Sequence, residues 1–392
     1  MSLEDTVQDL ADRLGSPLVA LDLDLNVAAY SMHDTDARWA RLARLLAGTG
    51  SLLTDAAVKE YGLRTATAPV RIPGEADVGV RVVMPLRHDK RLLGYLCFVD
   101  DHPDGDTSAQ AAASWALAAA SAEIGMLLAL KLSEQRHSAD HARSLLSSLF
   151  GDSALDSRHA ADLLLQEGLI ENVDHYSVLV FRAPEPSPKP VTRLAVEATL
   201  EFTARATTVK IIGAVLGVEG VVLFPRPVNH ERLERALVPV GATTVIAGVG
   251  GLKRSLNEAV NSYREAQLAC RAALLDPTRY GQRVFWEELG LDRLLLQLPL
   301  DHLTTDDFPP GIQRLLAAPN GRELAATLES YLDNGGEVAR TARSLNIHRS
   351  TLYYRLDRIR EVTGSDIADG GTRLDLHAGL RVARLAAMWP QT

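Results

Sequence analysis

Cysteine is nearly absent from this sequence: Cys97 and Cys270 are the two in 392 residues. Two thiols cannot build a disulfide scaffold or a cysteine-rich zinc site, and such sparing use fits a reducing compartment. No run of about eighteen or more apolar residues occurs, so a membrane span is not expected. The longest weakly polar stretch, 109–130, is alanine-rich and carries Glu123. The first residues are acidic and amphipathic, unlike a signal peptide. Positive charge is in deficit, with 41 Lys and Arg against 50 Asp and Glu, a formal charge of −9. That balance argues against a protein that coats nucleic acid along its length, but it leaves room for one local basic module. What remains is ordinary for packed protein, 46% hydrophobic and 23% charged. At roughly 150 residues per domain the length predicts two or three domains.

Apolar residues at 3, 7, 10 and 14 predict a first helix. Residues 17–30 read as two short strands around a turn at Asp24–Asn26, and 36–47 as a polar helix. Val78–Pro85 and Leu92–Val99 are β-like around the charged turn 87–91, and a loop at 100–106 leads into a long alanine-rich helix from Thr107. That order is that of a small sensory α+β domain. Val80, Val82, Met84, Leu96 and Phe98 share a strand face that either forms core or lines an effector cavity. Further on, strands at 176–182, 209–216, 220–224 and 243–249 and helices at 191–206 and 231–237 give the order β-α-β-β-α-β, ferredoxin-like. Residues 284–318 are mostly helical and broken by Pro299, Pro309 and Pro310, with Pro319 just beyond, which reads as a hinge, and the last seventy residues are helical.

The sharpest signal lies at 335–359. Val338, Ala342 and Leu345 share one face of a short helix, and Ala342 is small where a second helix must cross. Asn346 tolerates a left-handed turn, and Ile347 plugs the core. Residues 348–351 start a second helix, with Ser350 or Thr351 placed to satisfy free backbone donors. Leu352, Leu356 and Ile359 form its buried stripe at i, i+4 and i+7. This is a helix-turn-helix whose second helix suits the DNA major groove. Residues 337–360 hold six arginines against two acids in an otherwise acidic chain. Arginine suits both guanine edges and phosphates. Arg349, Thr351, Tyr353 and Tyr354 form the expected base-facing set, with Ser350 beside them. Arg340, Arg343, Arg355 and Arg358 are expected to hold phosphates or surface ion pairs. Tyr353 has packing on a neighbouring helix as its alternative, and His348 is as suited to capping or packing as to DNA contact.

Other chemistry finds less support. Gly248-Val-Gly-Gly251 follows a strand and precedes a helix, so it resembles a phosphate cradle. It lacks the full dinucleotide spacing and a trailing Lys-Ser/Thr, which favours a tight β-α turn. His137 and His141 lie four apart on a helix without an evident third ligand, and the acidic loops at 22–24 and 100–106 lack the twelfth-position glutamate of a calcium loop. No metal, no cofactor and no nucleophile motif is therefore expected.

The stretch 324–333 followed by 342–359 resembles the C-terminal domain of PucR/CdaR-type bacterial transcription regulators. Its pattern His-Arg-x-Thr-Leu-x-Tyr-Arg-Leu is met at His348, Arg349, Thr351, Leu352, Tyr354, Arg355 and Leu356, while Tyr353 stands where relatives often have a basic residue. Upstream, Ser144–Leu149, the β-α-β-β-α-β block, Gly248-Val-Gly and Ser262–Ala266 resemble the GGDEF-like middle domain of the same regulators. The hairpin reads Gly217-Val-Glu-Gly220 in place of a Gly-Gly-acid-Glu-Phe turn, with Glu219 expected as a turn residue, so nucleotide cyclisation is not expected. The outline of 1–106 resembles GAF or PAS domains.

The resulting expectation is a multidomain α+β chain: a GAF/PAS-like N-terminal domain (1–106), connecting long helices (107–150), a ferredoxin-like, degenerate GGDEF middle domain (151–282), a helical hinge (283–320) and an all-α helix-turn-helix C-terminal domain (321–392). The resemblance implies a cytoplasmic, non-enzymatic, sequence-specific regulator that binds double-stranded DNA as a homodimer or higher oligomer under an unidentified small effector, away from membranes. The alternative is a protein-interaction or nucleotide-binding regulator whose GGDEF-like domain binds a nucleotide.

Overall fold

Leu3, Val7, Leu10 and Ala11 are buried on one side of the first helix, α1 (Leu3–Leu14), as their spacing predicts. Ser2 caps it, its hydroxyl accepting from the Asp5 amide at 3.1 Å. The structure, a computed structural model, describes residues 2–31, 53–73, 80–100, 107–184, 190–238 and 245–389. The helix expected at 36–47 and the loop at 101–106 lie outside the described residues. The chain divides into two units, 1–140 and 141–392.

In the first unit, five strands form one antiparallel sheet in the order β2-β1-β5-β4-β3, namely β1 (Leu18–Asp22), β2 (Val27–Tyr30), β3 (Val70–Ile72), β4 (Val80–His88) and β5 (Arg91–Asp100). The β1–β2 turn is held by Asp22, whose carboxylate accepts from the Asn26 backbone and side chain at 2.8 and 3.2 Å. The β4–β5 turn is tighter than the expected 87–91. Asp89 and Lys90 both take positive φ, at 47° and 64°, the backbone that matches the twist of paired strands. Ladder pairing therefore continues to His88 and Arg91.

The period-2 alternation splits the strand residues cleanly. Leu18, Ala20, Val82, Met84, Leu96 and Phe98 pack with α1 and with Leu117, Ile124 and Leu128 of α3 (Thr107–Leu149). Val19, Leu21, Val83, Tyr95 and Cys97 pack on the other face with Leu53, Leu63 and Val58 of α2 (Asp55–Glu60). The face considered as an effector cavity is thus core, closed by α1 and α3. Among the described residues, α3 alone is long and apolar enough to cross a bilayer by length and composition. It runs unbroken from Thr107 to Leu149, where the sequence reading expected connecting helices over 107–150.

The second unit opens with α4 (Ala154–Gln166), capped by Ser153. Then come β6 (Ser177–Arg182), α5 (Pro190–Ala206), β7 (Ile212–Leu216), β8 (Glu219–Phe224), α6 (His230–Leu237) and β9 (Ile246–Val249). The expected β-α-β-β-α-β order is present, and the strands lie β10-β9-β6-β8-β7. The edge strand β10 (Arg283–Phe285) pairs parallel to β9, inside the segment read as a hinge. Helix α7 (Ala259–Leu275) crosses this sheet so closely that glycine is required beneath it. A Cβ on Gly248 would stand 2.2 Å from the Ala266 carbonyl oxygen, and one on Gly250 would stand 1.9 Å from that of Ser262. The glycine run therefore serves helix–strand packing.

The segment 283–320 divides between two cores. Leu289, Leu296 and Leu300, flanking α9 (Asp292–Leu295), join the core of the middle sheet. Phe308, with Ile312 and Leu315 of α10 (Pro310–Ala317), joins the core of the tail. Prolines break the helices, and apolar residues on either side are buried. The tail itself is α11 (Gly321–Asp333), α12 (Val338–Ser344), α13 (Arg349–Thr363) and α14 (Gly370–Leu385). Between α7 and β10 lies the short α8 (Pro277–Tyr280).

Candidate nucleic-acid interface

Helix α13 is fixed on its inner side before it offers anything outward. Leu352, Leu356 and Ile359 are fully or almost fully buried, and Ala342 of α12 is buried opposite them. Each fully buried leucine or isoleucine stabilises the fold by about 1.5–3 kcal/mol relative to exposure. The turn between α12 and α13 depends on Asn346, which takes φ 53° as its residue type allows. Val338, Leu345 and Ile347 pack partly buried against the same core.

The start of α13 is capped by His348, one of the roles its position allowed, and not by Ser350 or Thr351. His348 is the N-cap: its ring nitrogen Nδ1 accepts from the Ser350 amide at 3.3 Å and lies 2.8 Å from the Ser350 hydroxyl. The cap precedes the two hydroxyl residues, so Ser350 supports His348 and Thr351 stands exposed within the first turn. At the other end, Arg314 of α10 donates from Nε to the Val362 carbonyl at 3.0 Å and also to the Thr363 carbonyl. That clamp occupies two carbonyls the helix cannot satisfy itself. No sequence signal marked Arg314.

Outward, the first turns of α13 present Arg349, Ser350, Thr351, Tyr353 and Tyr354, all exposed. Tyr353 is 56% and Tyr354 72% accessible, so neither ring is packed on a neighbouring helix. Arg343 and Arg349 make no ion pair among the described residues, and with His348 they border an open cleft between α12 and α13.

The other arginines are engaged. Arg340 pairs with Glu337 at 3.0 Å and Arg358 with Glu361 at 2.8 Å, all four side chains about half exposed. Such surface pairs contribute roughly 0–1 kcal/mol and are readily exchanged. Arg355 is held more firmly: it is half-buried, pairs with Glu323 and donates to Thr327 Oγ1 at 3.3 Å on α11. It braces α13 on α11. Of the ten sequence-selected residues, the exposed face therefore brings together Arg343, His348, Arg349, Ser350, Thr351, Tyr353 and Tyr354, with Arg340 and Arg358 at its margins and Arg355 on its inner edge.

The middle domain has its own polar cluster. Glu219 is not a turn residue. It opens β8, is buried, and accepts from the Tyr263 hydroxyl and from Gln267 Nε2, each at 2.8 Å, with Arg182 at 3.4 Å. Burial and the Glu219 carboxylate both push the Tyr263 phenol pKa upward, which keeps it a neutral donor. The histidine pair is divided between other partners: His141 meets Glu167 at 2.7 Å, and His137 the Ser133 carbonyl at 2.8 Å.

Sequence missed the largest ionic cluster. Arg381 of α14 is buried and pairs with Asp276 at 2.8 Å, with Asp292, and with Glu329 of α11 at 3.3 Å. Arg384 joins Glu329 and lies 3.7 Å from the centre of the Trp389 ring. No local pattern could have revealed it, since its members span 109 positions and meet only through tertiary packing.

Residues 324–382 match the PucR C-terminal helix-turn-helix domain, and residues 170–272 match the GGDEF-like domain. The chain is 28% identical over 144 residues to the proline-responsive transcriptional activator PutR of Bacillus subtilis, covering 36% of this chain and 35% of that protein. It is also 28% identical over 144 residues to the purine catabolism regulatory protein of the same organism, covering 36% and 27%. Against the carbohydrate diacid regulator of Escherichia coli it is 35% identical over 98 residues, a quarter of each chain. The matched stretches thus span about a quarter to a third of these relatives' length.

Proposed function

We propose, for a chain that carries a PucR C-terminal helix-turn-helix domain behind a GGDEF-like domain, that it is a sequence-specific, DNA-binding transcription regulator. The observation that carries this reading is the outward face of α13. It offers an arginine without an acidic partner, two hydroxyls and two exposed tyrosines, on a helix whose opposite side is locked into the core. Arg349, Thr351, Tyr353 and Tyr354 reach base edges; Arg343 meets phosphates directly, and Arg340 and Arg358 exchange weak surface pairs for them. Arg355 acts as a brace, and His348 as the cap that sets the first turn.

One recognition helix reads only a few base pairs, so the protein acts as a homodimer on paired half-sites. Trp115, Met126 and Leu130 stand exposed along α3 and suit a second copy. The first unit, a five-stranded sheet between α1 and α3 on one face and the α2 segment on the other, fits a GAF/PAS-like sensory domain. The middle domain acts as scaffold rather than cyclase. Its hairpin glutamate is already bound by a tyrosine, a glutamine and an arginine, which leaves no free carboxylate there for a metal. The protein works in the bacterial cytoplasm.

The test is a mobility shift on the promoter region adjoining its own coding sequence, over a series of salt concentrations. Binding should weaken steeply with salt. Arg349→Ala and Thr351→Ala should each cost about 1–3 kcal/mol of specific affinity while folding is retained. Unchanged affinity in both variants would remove α13 as the reading element.

A further inference from the structure

In the middle domain, the second half of α5, the end of β8 and α6 enclose a cavity of about 60 Å³. One water needs roughly 10–15 Å³ on this scale, so the space admits a body of several heavy atoms. Phe202, Val209, Phe224 and Leu233 give it apolar lining, Thr199, Thr203, Thr207 and Asn229 add polar lining, and Arg226 and Arg232 are the cationic residues on it. Among the described residues no acidic side chain lines it, and neither arginine makes an ion pair. The mouth is held in place by two bonds. The Arg226 carbonyl accepts from the Ser177 hydroxyl at 2.8 Å, and Asn229 Oδ1 accepts from the Arg232 amide at 3.1 Å, capping α6.

We infer that this pocket binds a small organic anion with a short apolar body, its carboxylate held by Arg226 and Arg232. Few convergent cations beside an apolar cavity are what such a ligand needs: burial of the chain supplies affinity, and a charge-assisted hydrogen bond fixes the head. A neutral apolar ligand would leave two guanidinium groups at its end without use, and a polyphosphate would meet four apolar side chains. The inference concerns ligand binding alone and stands whether or not α13 reads DNA.

Calorimetric titration of the full chain with hexanoate, and with its neutral isostere hexanamide, tests it. Hexanoate should bind saturably and hexanamide roughly tenfold more weakly, the effect of losing one charge-assisted bond. The double variant Arg226→Ala/Arg232→Ala should reduce hexanoate to the level of the amide. Ala206→Trp, at an exposed position on the rim, should abolish binding of both, with far-UV circular dichroism unchanged. Absence of hexanoate binding at millimolar concentration, equal binding of acid and amide, or hexanoate binding undiminished in Ala206→Trp would each overturn the assignment.

Discussion

Arg381 and the two cysteines show what a single side chain carries in this molecule. Burial lowers a guanidinium's affinity for its proton, but the Asp292 and Asp276 carboxylates more than offset it and hold Arg381 more basic than usual. Removing one partner from such a cluster leaves uncompensated buried charge. Arg381→Met should therefore cost about 3–5 kcal/mol in urea unfolding. The thiols illustrate the opposite case. Cys97 and Cys270 are fully buried, and desolvation pushes each pKa up to about 12. The reactive thiolate is thus scarce at neutral pH. Iodoacetamide should label neither cysteine in the native protein within the time that both react in urea, as mass spectrometry would read. Their scarcity was legible in the sequence. Their inertness follows from packing against the sheet, which the residues alone do not state.

At the scale of elements, the clearest sequence features were those that repeat locally. The stripe Leu352, Leu356, Ile359 and the alternation along β4 and β5 appear where they were expected, because helical and strand periods are properties of neighbouring residues. Leu352→Ala should cost about 2–5 kcal/mol by leaving a cavity between α12 and α13, and should abolish DNA binding in parallel with helix loss. Less legible was anything decided by a distant partner. The cap of α13 is local, by contrast, and fell to His348 because its position precedes the first helical residue, although serine and threonine are the commoner choice. His348→Asn should keep both helix and DNA binding, whereas His348→Ala should lower stability by the ~1 kcal/mol typical of a lost cap, read as a lower thermal midpoint. Arg355 matched the family pattern, yet its charge turns inward to Glu323. The glycines at 248 and 250 were ambiguous in sequence because a phosphate and a crossing helix make the same demand for a missing Cβ. Only the closeness of α7 decides between them.

For the whole molecule, the GGDEF-like domain and the helix-turn-helix tail were readable in the sequence, but the joint between them was not. Four prolines suggested a hinge at 283–320, and in the structure β10 belongs to the middle sheet and Ile312 to the core of the tail, with an exposed stretch between them. The joint has a pH signature. Burial would raise the Asp276 pKa, but hydrogen bonding from Arg381 and the charge of Arg384 outweigh it and leave the value lowered. Its contribution is complete above the ordinary aspartate value of about 3.9 and is lost as pH falls through the lower folded value. The urea midpoint should therefore decline below about pH 4, and decline less steeply in Asp276→Asn. In the assembled protein, Trp115→Glu with Met126→Glu should convert a dimer to a monomer in sedimentation, with loss of affinity for paired half-sites.

Because α14 keeps its cation among carboxylates donated by residues 276 and 292, a DNA reader clipped out at residue 321 would leave its counter-ions behind. The smallest portable fragment of this protein should begin near His141, where the second unit begins. Grafting the recognition helix onto another scaffold would then mean transplanting a sheet along with it.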